Sequence, residues 1–330
     1  MKAKPVEIMW NPGLPIFARE SFLKAVGDEY GWLGGFSEHG ELRCILPFTI
    51  IKKAIFRMVR FRVETIPVGQ ELDVQEEKSF LDNSIEYFRS VGADLIIPAT
   101  TNTIFRTYPQ GADAAPYGSY VIDLVQTEDT LWRNIGQKTR QNINTALKDG
   151  VYICSGIEHL DKAYLLVRDT FKRSNIPLMS YESFKRYLTG LGEYEKVMIA
   201  NYQGIPQSCT IYAFSDYSAY AIYGGNIVET HQGAMKLLQW EAIRSFKKLG
   251  VQRFDFVGVR IDPKKGSKQE ALNLFKKRFG GKLKQGYIWK YSIHPLKYRL
   301  YCLAARLRSG GDIVDVERLK LRNLSSIETK

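Results

Sequence analysis

The second half of the chain alternates between helical and strand-like spacing of its apolar residues. Apolar positions three and four residues apart predict helices over 128–148, 159–174, 181–191, 233–249 and 269–279. Shorter runs bounded by turn residues predict strands over 151–156, 196–202, 207–214, 218–223, 253–257 and 284–293. The three strands over 196–223 follow one another across short turns, which is typical of an antiparallel meander. After the first helix the predicted order is therefore β-α-α-β-β-β-α-β-α-β.

The first 125 residues repeat much of this order. Their pattern predicts helices over 17–26 and 76–91, and strands over 6–10, 31–36, 42–51, 60–66, 93–98 and 119–124. The likeness is one of element order and not of residues, and it indicates a duplicated unit. We predict one domain over 1–115, a second over 116–293 and a basic helical tail over 294–330.

The composition is that of a globular protein and excludes a largely disordered chain, since 45% of the 330 residues are hydrophobic and 25% are charged. The four cysteines form no C-x-x-C pair and the four histidines show no i, i+4 spacing. Neither a disulfide framework nor a zinc site is therefore encoded locally, and we expect a reduced chain without a metal. The N-terminus lacks an apolar leader core, and polar residues interrupt the longest uncharged stretch, 197–215, so we expect a cytoplasmic protein.

The net charge of +12 is concentrated in two segments. Residues 45–63 carry five basic and no acidic residues, and residues 282–330 carry eleven basic and four acidic residues. Such segregation favours a partner rich in phosphates, although two solvated faces explain it equally well. Both segments also contain large apolar residues, which suits peripheral contact with the anionic inner face of the plasma membrane as well as it suits RNA.

Several motifs of the second half resemble those of the FemAB family. They are TLWRNIGQKTRQNINTALKDGV at its start, YAIYGGN at the end of the meander, LLQWEAIRSFKKLG before RFDFVGV, and NLFKKRFGG. The helix pair, meander, helix and strand also follow the element order of the GNAT acyltransferase fold. The resemblance implies an α+β protein of two tandem GNAT-like domains, each with a mixed, mainly antiparallel sheet flanked by helices. FemAB proteins are aminoacyltransferases that build peptidoglycan interpeptide bridges, and their relatives include BioF2-like acyltransferases.

Acyl transfer to an amine needs a donor for the developing oxyanion but no side-chain nucleophile. The resemblance implies that Lys276 of the FKKRFGG motif faces the acyl donor and stabilises that charge; a solvent-facing lysine is the alternative. Phe275 is a candidate lining residue of the acceptor channel, or simply a core residue. Asp255 ends a predicted strand, where its carboxylate either orients an amine or bonds the Gly258 turn. The superfamily places a phenol or an amide near the reaction centre, where Tyr223 falls, although core packing explains Tyr223 too.

The loop before the helix over 233–249 corresponds to the one that binds the coenzyme A pyrophosphate in GNAT enzymes. The resemblance makes Gln232, Gly233 and Ala234 the cofactor-binding candidates, because amides at a helix N-terminus bind phosphates. The (Q/R)-x-x-G-x-(G/A) pattern is not met, since Thr230 stands where Gln or Arg is wanted. This departure favours aminoacyl-tRNA over acyl-CoA as the acyl donor, although a degenerate coenzyme A loop would look the same. No permanently bound cofactor is expected.

Two further groups of basic residues are candidate substrate ligands. Arg133, Lys138 and Arg140 lie on the helix predicted over 128–148, where Arg133 and Arg140 share a face that suits a polyphosphate or a tRNA backbone. Lys185 and Arg186 lie where Fem enzymes carry a basic residue for a UDP-linked muropeptide, but the spacing differs. Exposed amphipathic helices explain both groups as well.

The sequence therefore predicts an N-acyltransferase that moves an aminoacyl or acyl group onto an amine of a cell-envelope precursor, a peptidoglycan muropeptide or a related glycan. One alternative is an acyl-CoA-dependent N-acetyltransferase acting on an amino sugar in polysaccharide biosynthesis. A second is a non-catalytic basic adaptor that binds RNA or an anionic membrane. Turnover, coenzyme A binding and the salt dependence of binding separate the three.

Overall fold

This computed structural model describes residues 1–328, with side chains through residue 321. A 3-10 turn at Ile16–Ala18 precedes the first helix, and a capping box at Asp73 and Glu76 begins the second. The elements of the first half are β1 (Lys2–Val6), α1 (Glu20–Val26), β2 (Glu29–Phe36), β3 (Leu42–Lys53), β4 (Phe56–Phe61), β5 (Ile66–Pro67), α2 (Val74–Ser90) and β6 (Leu95–Ile96).

The second half has the predicted helix pair, meander, helix and strand. Side chains of Thr127, Ser180 and Ser267 accept backbone N–H groups at three helix starts. The elements are β7 (Asp113–Asp123), α3 (Glu128–Asn134), α4 (Gln137–Lys148), β8 (Tyr152–Ser155), α5 (Leu160–Arg173), α6 (Tyr181–Thr189), β9 (Glu195–Tyr202), β10 (Ile205–Phe214), β11 (Ala219–Asn226), α7 (Ala234–Lys248), β12 (Arg253–Asp255), β13 (Val259–Arg260), α8 (Lys268–Lys277), β14 (Lys282–Ser292), α9 (Pro295–Ser309) and α10 (Ile313–Glu328).

The described strands join in one mixed sheet, in the order β1-β2-β3-β4-β6-β14-β7-β12-β11-β10-β9-β8, with β5 beside β3 and β13 beside β7. Only β4–β6 and β11–β12 pair in parallel among them. Each half therefore consists of an antiparallel meander, a helix and a short parallel strand. This repetition confirms the tandem GNAT-like fold.

The central strands join the two predicted domains into one sheet. β14 pairs with β7 over most of its length and with β6 at its end, where Tyr291 lies opposite Ile96. β7 itself runs across the boundary predicted between residues 115 and 116. The division at that residue stays a prediction, whereas the two halves of the sheet are continuous through β14.

Apolar side chains from both halves form a shared core. The Phe17 ring lies 4.9 Å from the Tyr220 ring, and the Phe22 ring lies 5.1 Å from the Tyr187 ring. Ser21 Oγ also donates to the Gly190 carbonyl at 2.9 Å. The two halves therefore pack directly against each other, and both contribute residues to the region between them.

Some predicted elements are wrong in detail. The strand predicted over 60–66 lies instead at Phe56–Phe61, and residues 62–65 lie outside strands. The helix predicted over 128–148 is interrupted because Ile135 is extended and the Gly136 N–H donates to the Arg278 carbonyl at 2.8 Å. The strand predicted over 6–10 lies instead at Lys2–Val6, paired with β2. Ile8 and Trp10 lie outside any strand and pack against the shared core, where the Trp10 ring lies 5.1 Å from the Tyr194 ring.

The predicted tail over 294–330 contains α9 and α10, and its residues 329 and 330 lie outside the described part. A fully buried Lys290 on β14 donates to Asp312 at 2.9 Å and to Asp315 at 2.6 Å, which fixes the start of α10 to the sheet. Within residues 1–328, no helix combines the length and the apolar character needed to cross a bilayer.

Candidate functional site

The sheet opens between β11 and β12. These parallel strands are paired only at Ala219 with Phe254 and at Tyr220 with Asp255. Beyond these pairs β11 continues while β12 ends in a turn, because Val257 and Gly258 both adopt left-handed conformations, with φ of 41° and 57°. Such a backbone is strained for a β-branched residue and concentrates at functional sites. The opening is the central feature of the candidate site.

Lys276 is anchored at this turn. From the last turn of α8 its ammonium donates to the carbonyl oxygen of Gly258 at 2.8 Å and to that of Val257. Burial lowers the pKa of Lys276 to about 8, and the negative charge of Asp255 opposes that effect. The third N–H has no partner among the described residues and is available to a developing oxyanion. Lys276 is therefore fixed to the turn, and its role towards an acyl donor stays a prediction.

Asp255 holds the turn in place. Its Oδ1 accepts the Val257 N–H at 2.7 Å and the Ser119 hydroxyl. Burial raises the pKa of the Asp255 carboxyl, while the bonds from Ser119 and Val257 lower it. The bond to the turn, which was one of the two roles predicted for Asp255, is therefore present.

A cleft of about 420 Å³ lies on the Asp255 side of the sheet, lined by residues of both halves. Glu64 of the first half and Lys284 of β14 form an ion pair within it. Tyr220 of β11 and Tyr217 of the preceding turn also line it. The cleft therefore gives Asp255 a route to solvent in addition to its structural bonds.

Tyr223 lies three residues beyond the last pair of β11 with β12. Its ring centroid is 4.9 Å from Phe184 and 6.1 Å from Tyr187, and it is half-buried. Burial raises the pKa values of Tyr187 and Tyr223, and the positive charges of Arg60 and Arg62 act against it at Tyr223. Tyr223 therefore packs among aromatic rings, as the core alternative expected. Its predicted role near the reaction centre stays a prediction.

Arg60 and Arg62 are functional candidates that the sequence analysis did not single out. Arg62 is buried; it donates to Thr49 Oγ1 at 3.0 Å and to the Val26 carbonyl at 2.6 Å, while Arg60 donates to the Pro98 carbonyl at 3.1 Å. Neither guanidinium has a carboxylate partner among residues 1–321. Burial lowers the pKa of Arg62 to about 9, and the positive charge of Arg60 contributes to the same shift to a smaller extent. A buried cation and a half-buried one, both without counter-ions, attract an anion.

Phe275 packs among aromatic residues. Its ring lies 5.2 Å from Phe279 and 6.4 Å from Phe256, and it is half-buried. These contacts fit the core role that the sequence analysis set beside a place in the acceptor channel. The channel role stays a prediction.

The start of α7 is closed by neighbouring residues. The Gly233 N–H donates to His231 Nδ1 at 3.2 Å, and the Ala234 N–H donates to the His231 carbonyl at 3.0 Å. A Cβ on Gly233 would lie 2.2 Å from the Asn142 carbonyl oxygen, so α4 lies directly against this turn. The Gln232 carbonyl accepts from Lys236 at 2.9 Å. A phosphate would have to displace these contacts, and cofactor binding by Gln232, Gly233 and Ala234 stays a prediction.

The basic residues of the helix pair are divided by its break. Arg140 Nη1 donates to the carbonyls of Ile135 at 2.5 Å and Arg133 at 2.8 Å, so it caps the end of α3. The prediction that Arg133 and Arg140 share a face of one helix is wrong, because Gly136 separates the two helices. Lys138 is exposed at the start of α4.

Lys138 belongs to a positive group that the sequence did not reveal. Burial lowers the pKa of Lys236, and the positive charges of Arg278 and Lys138 lower it further. Arg278 is the arginine of the FKKRFGG motif, so this group includes a residue of the motif. By contrast, Lys185 and Arg186 are exposed on α6, and it is the next residue, Tyr187, that faces the shared core.

Within the described part of the chain, no three His, Cys, Asp or Glu side chains are grouped in a way that could hold a metal ion. The four cysteines are free thiols.

Comparison with known proteins supports the family resemblance over part of the chain, which includes the first of the motifs and ends before FKKRFGG. Residues 105–203 match the model of the FemAB family. No curated protein matches the sequence.

Solved structures share the fold at low sequence identity. A crystal structure of FemX is 15% identical, with a TM-score of 0.62 over 87% of this chain and 93% of that one. The C-terminal domain of a putative lysylphosphatidylglycerol synthetase from Agrobacterium fabrum is 12% identical, with a TM-score of 0.53 over 88% of this chain and 93% of that one. L-PGS from Bacillus licheniformis is also 12% identical, with a TM-score of 0.52 over 88% and 91% of the two chains.

Proposed function

We propose, from the premise that this chain is a FemAB-like tandem GNAT protein, that it is an N-acyltransferase acting on an amine of a cell-envelope precursor. The observation that carries the proposal is the partly desolvated Lys276 ammonium at the opening between β11 and β12. A fixed cation is worth more to a transition-state oxyanion in such a site than in water. Lys276 is the electrostatic catalyst.

The acyl donor in this proposal is an aminoacyl-tRNA. The acceptor amine forms a C–N bond with the ester carbonyl, the ester C–O bond breaks, and the amine's proton passes to the departing oxygen. Lys276 stabilises the oxyanion formed between these events. The Val257–Gly258 carbonyls keep the lysine in place, and Asp255 keeps the turn in place. Tyr223 borders the opening and is the candidate to relay the proton.

The donor assignment is supported by two features near the motif. The amides that would cradle a coenzyme A pyrophosphate at the start of α7 are already bonded. Lys138, Lys236 and Arg278 instead form a positive group that suits phosphates of an RNA backbone. A charged tRNA as donor implies a cytoplasmic reaction.

The acceptor carries an anionic group in this proposal. Arg60, half-buried, and Arg62, buried, lie beside Tyr187 and Tyr223 and offer donors without carboxylate partners, which suits a phosphate or carboxylate of a muropeptide precursor. An uncharged amine would leave both cations uncompensated.

The proposal is tested by mixing the purified protein with charged tRNA or acetyl-CoA and with a UDP-linked muropeptide, and by following the acceptor mass. We expect an aminoacyl addition with charged tRNA only. An acetyl addition would identify the acyl-CoA-dependent alternative. No product with either donor, combined with salt-sensitive RNA or lipid binding, would identify the non-catalytic adaptor.

A further inference from the structure

Helix α9 exposes a stripe of leucines. Leu296, Leu300, Leu303 and Leu307 are 66%, 50%, 55% and 81% exposed. At about 100° per residue their side chains lie within roughly 60° of one another around the helix. A contiguous apolar stripe of this kind marks an interaction surface, unlike single exposed leucines.

The opposite face of α9 is fixed to the protein. Tyr298 and Tyr301 pack against Met58, Leu95 and Ile97 of the first half. Lys297 also donates to Asp94 at 2.9 Å. The helix therefore lies along the surface of the molecule, and its leucine stripe is not needed to hold it there.

The charges that α9 itself carries are of one sign. The cavity that Leu303 lines is also lined by Asp113 and Asp315 of neighbouring elements. α9 contains no acidic residue, and Arg299, Arg306 and Arg308 flank the leucines. Long basic side chains beside an apolar stripe can lay their stems on it and keep their charges in an aqueous or headgroup layer.

The other basic segment of the sequence adjoins this helix. Ile51 and Phe56, on either side of the β3–β4 turn, pack in the same cluster as Tyr298 and Tyr301. The turn between them presents Lys53 and Ile55, and Ile55 is 59% exposed. Two segments more than 230 residues apart in sequence thus meet at the cluster on the inner side of α9.

We propose that this surface, the α9 stripe with the Lys53–Ile55 turn, docks on an anionic lipid bilayer with α9 lying in the plane of the headgroups. Exposed leucines next to arginines match the apolar boundary and negative charge of such a bilayer. RNA would gain little from leucines, and the aromatic rings of α9 that could stack on bases face inward. The surface does not depend on the catalytic proposal.

The test is flotation of the full chain with phosphatidylcholine vesicles that contain or lack phosphatidylglycerol, at low and high salt. We expect binding only with phosphatidylglycerol, weakened by salt. Leu300→Gln/Leu307→Gln should weaken it by about tenfold or more. The matched control is Leu147→Gln/Leu165→Gln, which replaces similarly exposed leucines on other helices and should leave binding unchanged.

Circular dichroism melting of both double variants checks that they stay folded. Absence of binding to the phosphatidylglycerol vesicles, or unchanged binding of Leu300→Gln/Leu307→Gln, overturns the proposal. So does tRNA binding that Arg299→Gln/Arg306→Gln abolishes and the leucine variant preserves, because the surface would then serve RNA. Because none of these readouts involves acyl transfer, failure of the catalytic proposal would not change them.

Discussion

The Lys276 ammonium lies 2.8 Å from the carbonyl oxygen of Gly258, which stands in a left-handed turn at the end of β12. This contact joins the last turn of α8 to the strand that opens away from β11. It removes much of the lysine from water, yet gives it neutral partners in place of a carboxylate bond. The ammonium is thereby positioned without being neutralised.

The first prediction concerns pH. Because burial lowers the pKa of Lys276 to about 8, the cation is lost as pH rises through that value. We expect kcat/KM for acyl transfer to fall above pH 8, as measured over a pH series with saturating donor. Lys277→Met should show the same profile, since Lys277 is exposed. A rate that rises through pH 8 would indicate that the neutral amine acts as a base instead.

The second prediction concerns the turn. Gly258→Ala adds a Cβ at φ +57°, 3.2 Å from the Tyr117 hydroxyl, and should displace the carbonyl that anchors Lys276. We expect kcat to fall by about tenfold to a hundredfold, because small misplacements at a reacting centre are costly. Gly250→Ala is the matched control, with φ +81° and open space around its Cβ. Denaturant unfolding of both variants should show a similar loss of about 1–2 kcal/mol. Equal kcat values for the two variants would remove the turn from the account.

The third prediction concerns the buried Arg62. Arg62→Met should raise KM for an anionic acceptor by about tenfold or more, because a charged hydrogen bond is lost, and should change kcat less. Arg57→Met is the control, because Arg57 lies on β4, just before Arg62 in the chain, and already bonds Glu29 at 3.1 Å. Steady-state kinetics with varied acceptor distinguish them. An unchanged KM in Arg62→Met would place the acceptor elsewhere.

The fourth prediction concerns stability. Lys290→Met removes a buried cation from Asp312 and Asp315 and should lower the free energy of unfolding by about 3–5 kcal/mol. Urea unfolding measures it. Arg89→Met, which breaks an exposed pair with Glu86, should cost at most about 1 kcal/mol. A similarly small loss for Lys290→Met would mean that α10 is not held by this cluster.

Much of the fold could be predicted because most apolar runs pack where their pattern implies. The meander over 195–226 follows short apolar runs between turn residues, and helix α7 follows a helical pattern. The helix break at Gly136 could not be predicted, because it depends on a bond to Arg278, which is 142 residues away in sequence. Ile8 and Trp10 were misjudged for a similar reason, since a shared core between the halves needs apolar residues outside strands.

The candidate site was only partly visible in the sequence. The FKKRFGG motif identified Lys276, and the turn after Asp255 identified its local bond. Arg60 and Arg62 carried a signal, two arginines at strand spacing beside apolar residues, but no sequence pattern shows that they lack carboxylate partners. Arg140 was interpreted as a ligand because the sequence predicted one unbroken helix. Only the break between α3 and α4 exposes the carbonyls that Arg140 caps.

The most direct test of the account compares Lys276→Met with Lys277→Met in single-turnover acyl transfer from the donor that supports product formation. Because Lys276 reaches the turn carbonyls and Lys277 is exposed, the account predicts a rate about a hundredfold lower for the first variant and an unchanged rate for the second. Equal rates for the two variants, both close to that of the unmodified protein, would contradict it.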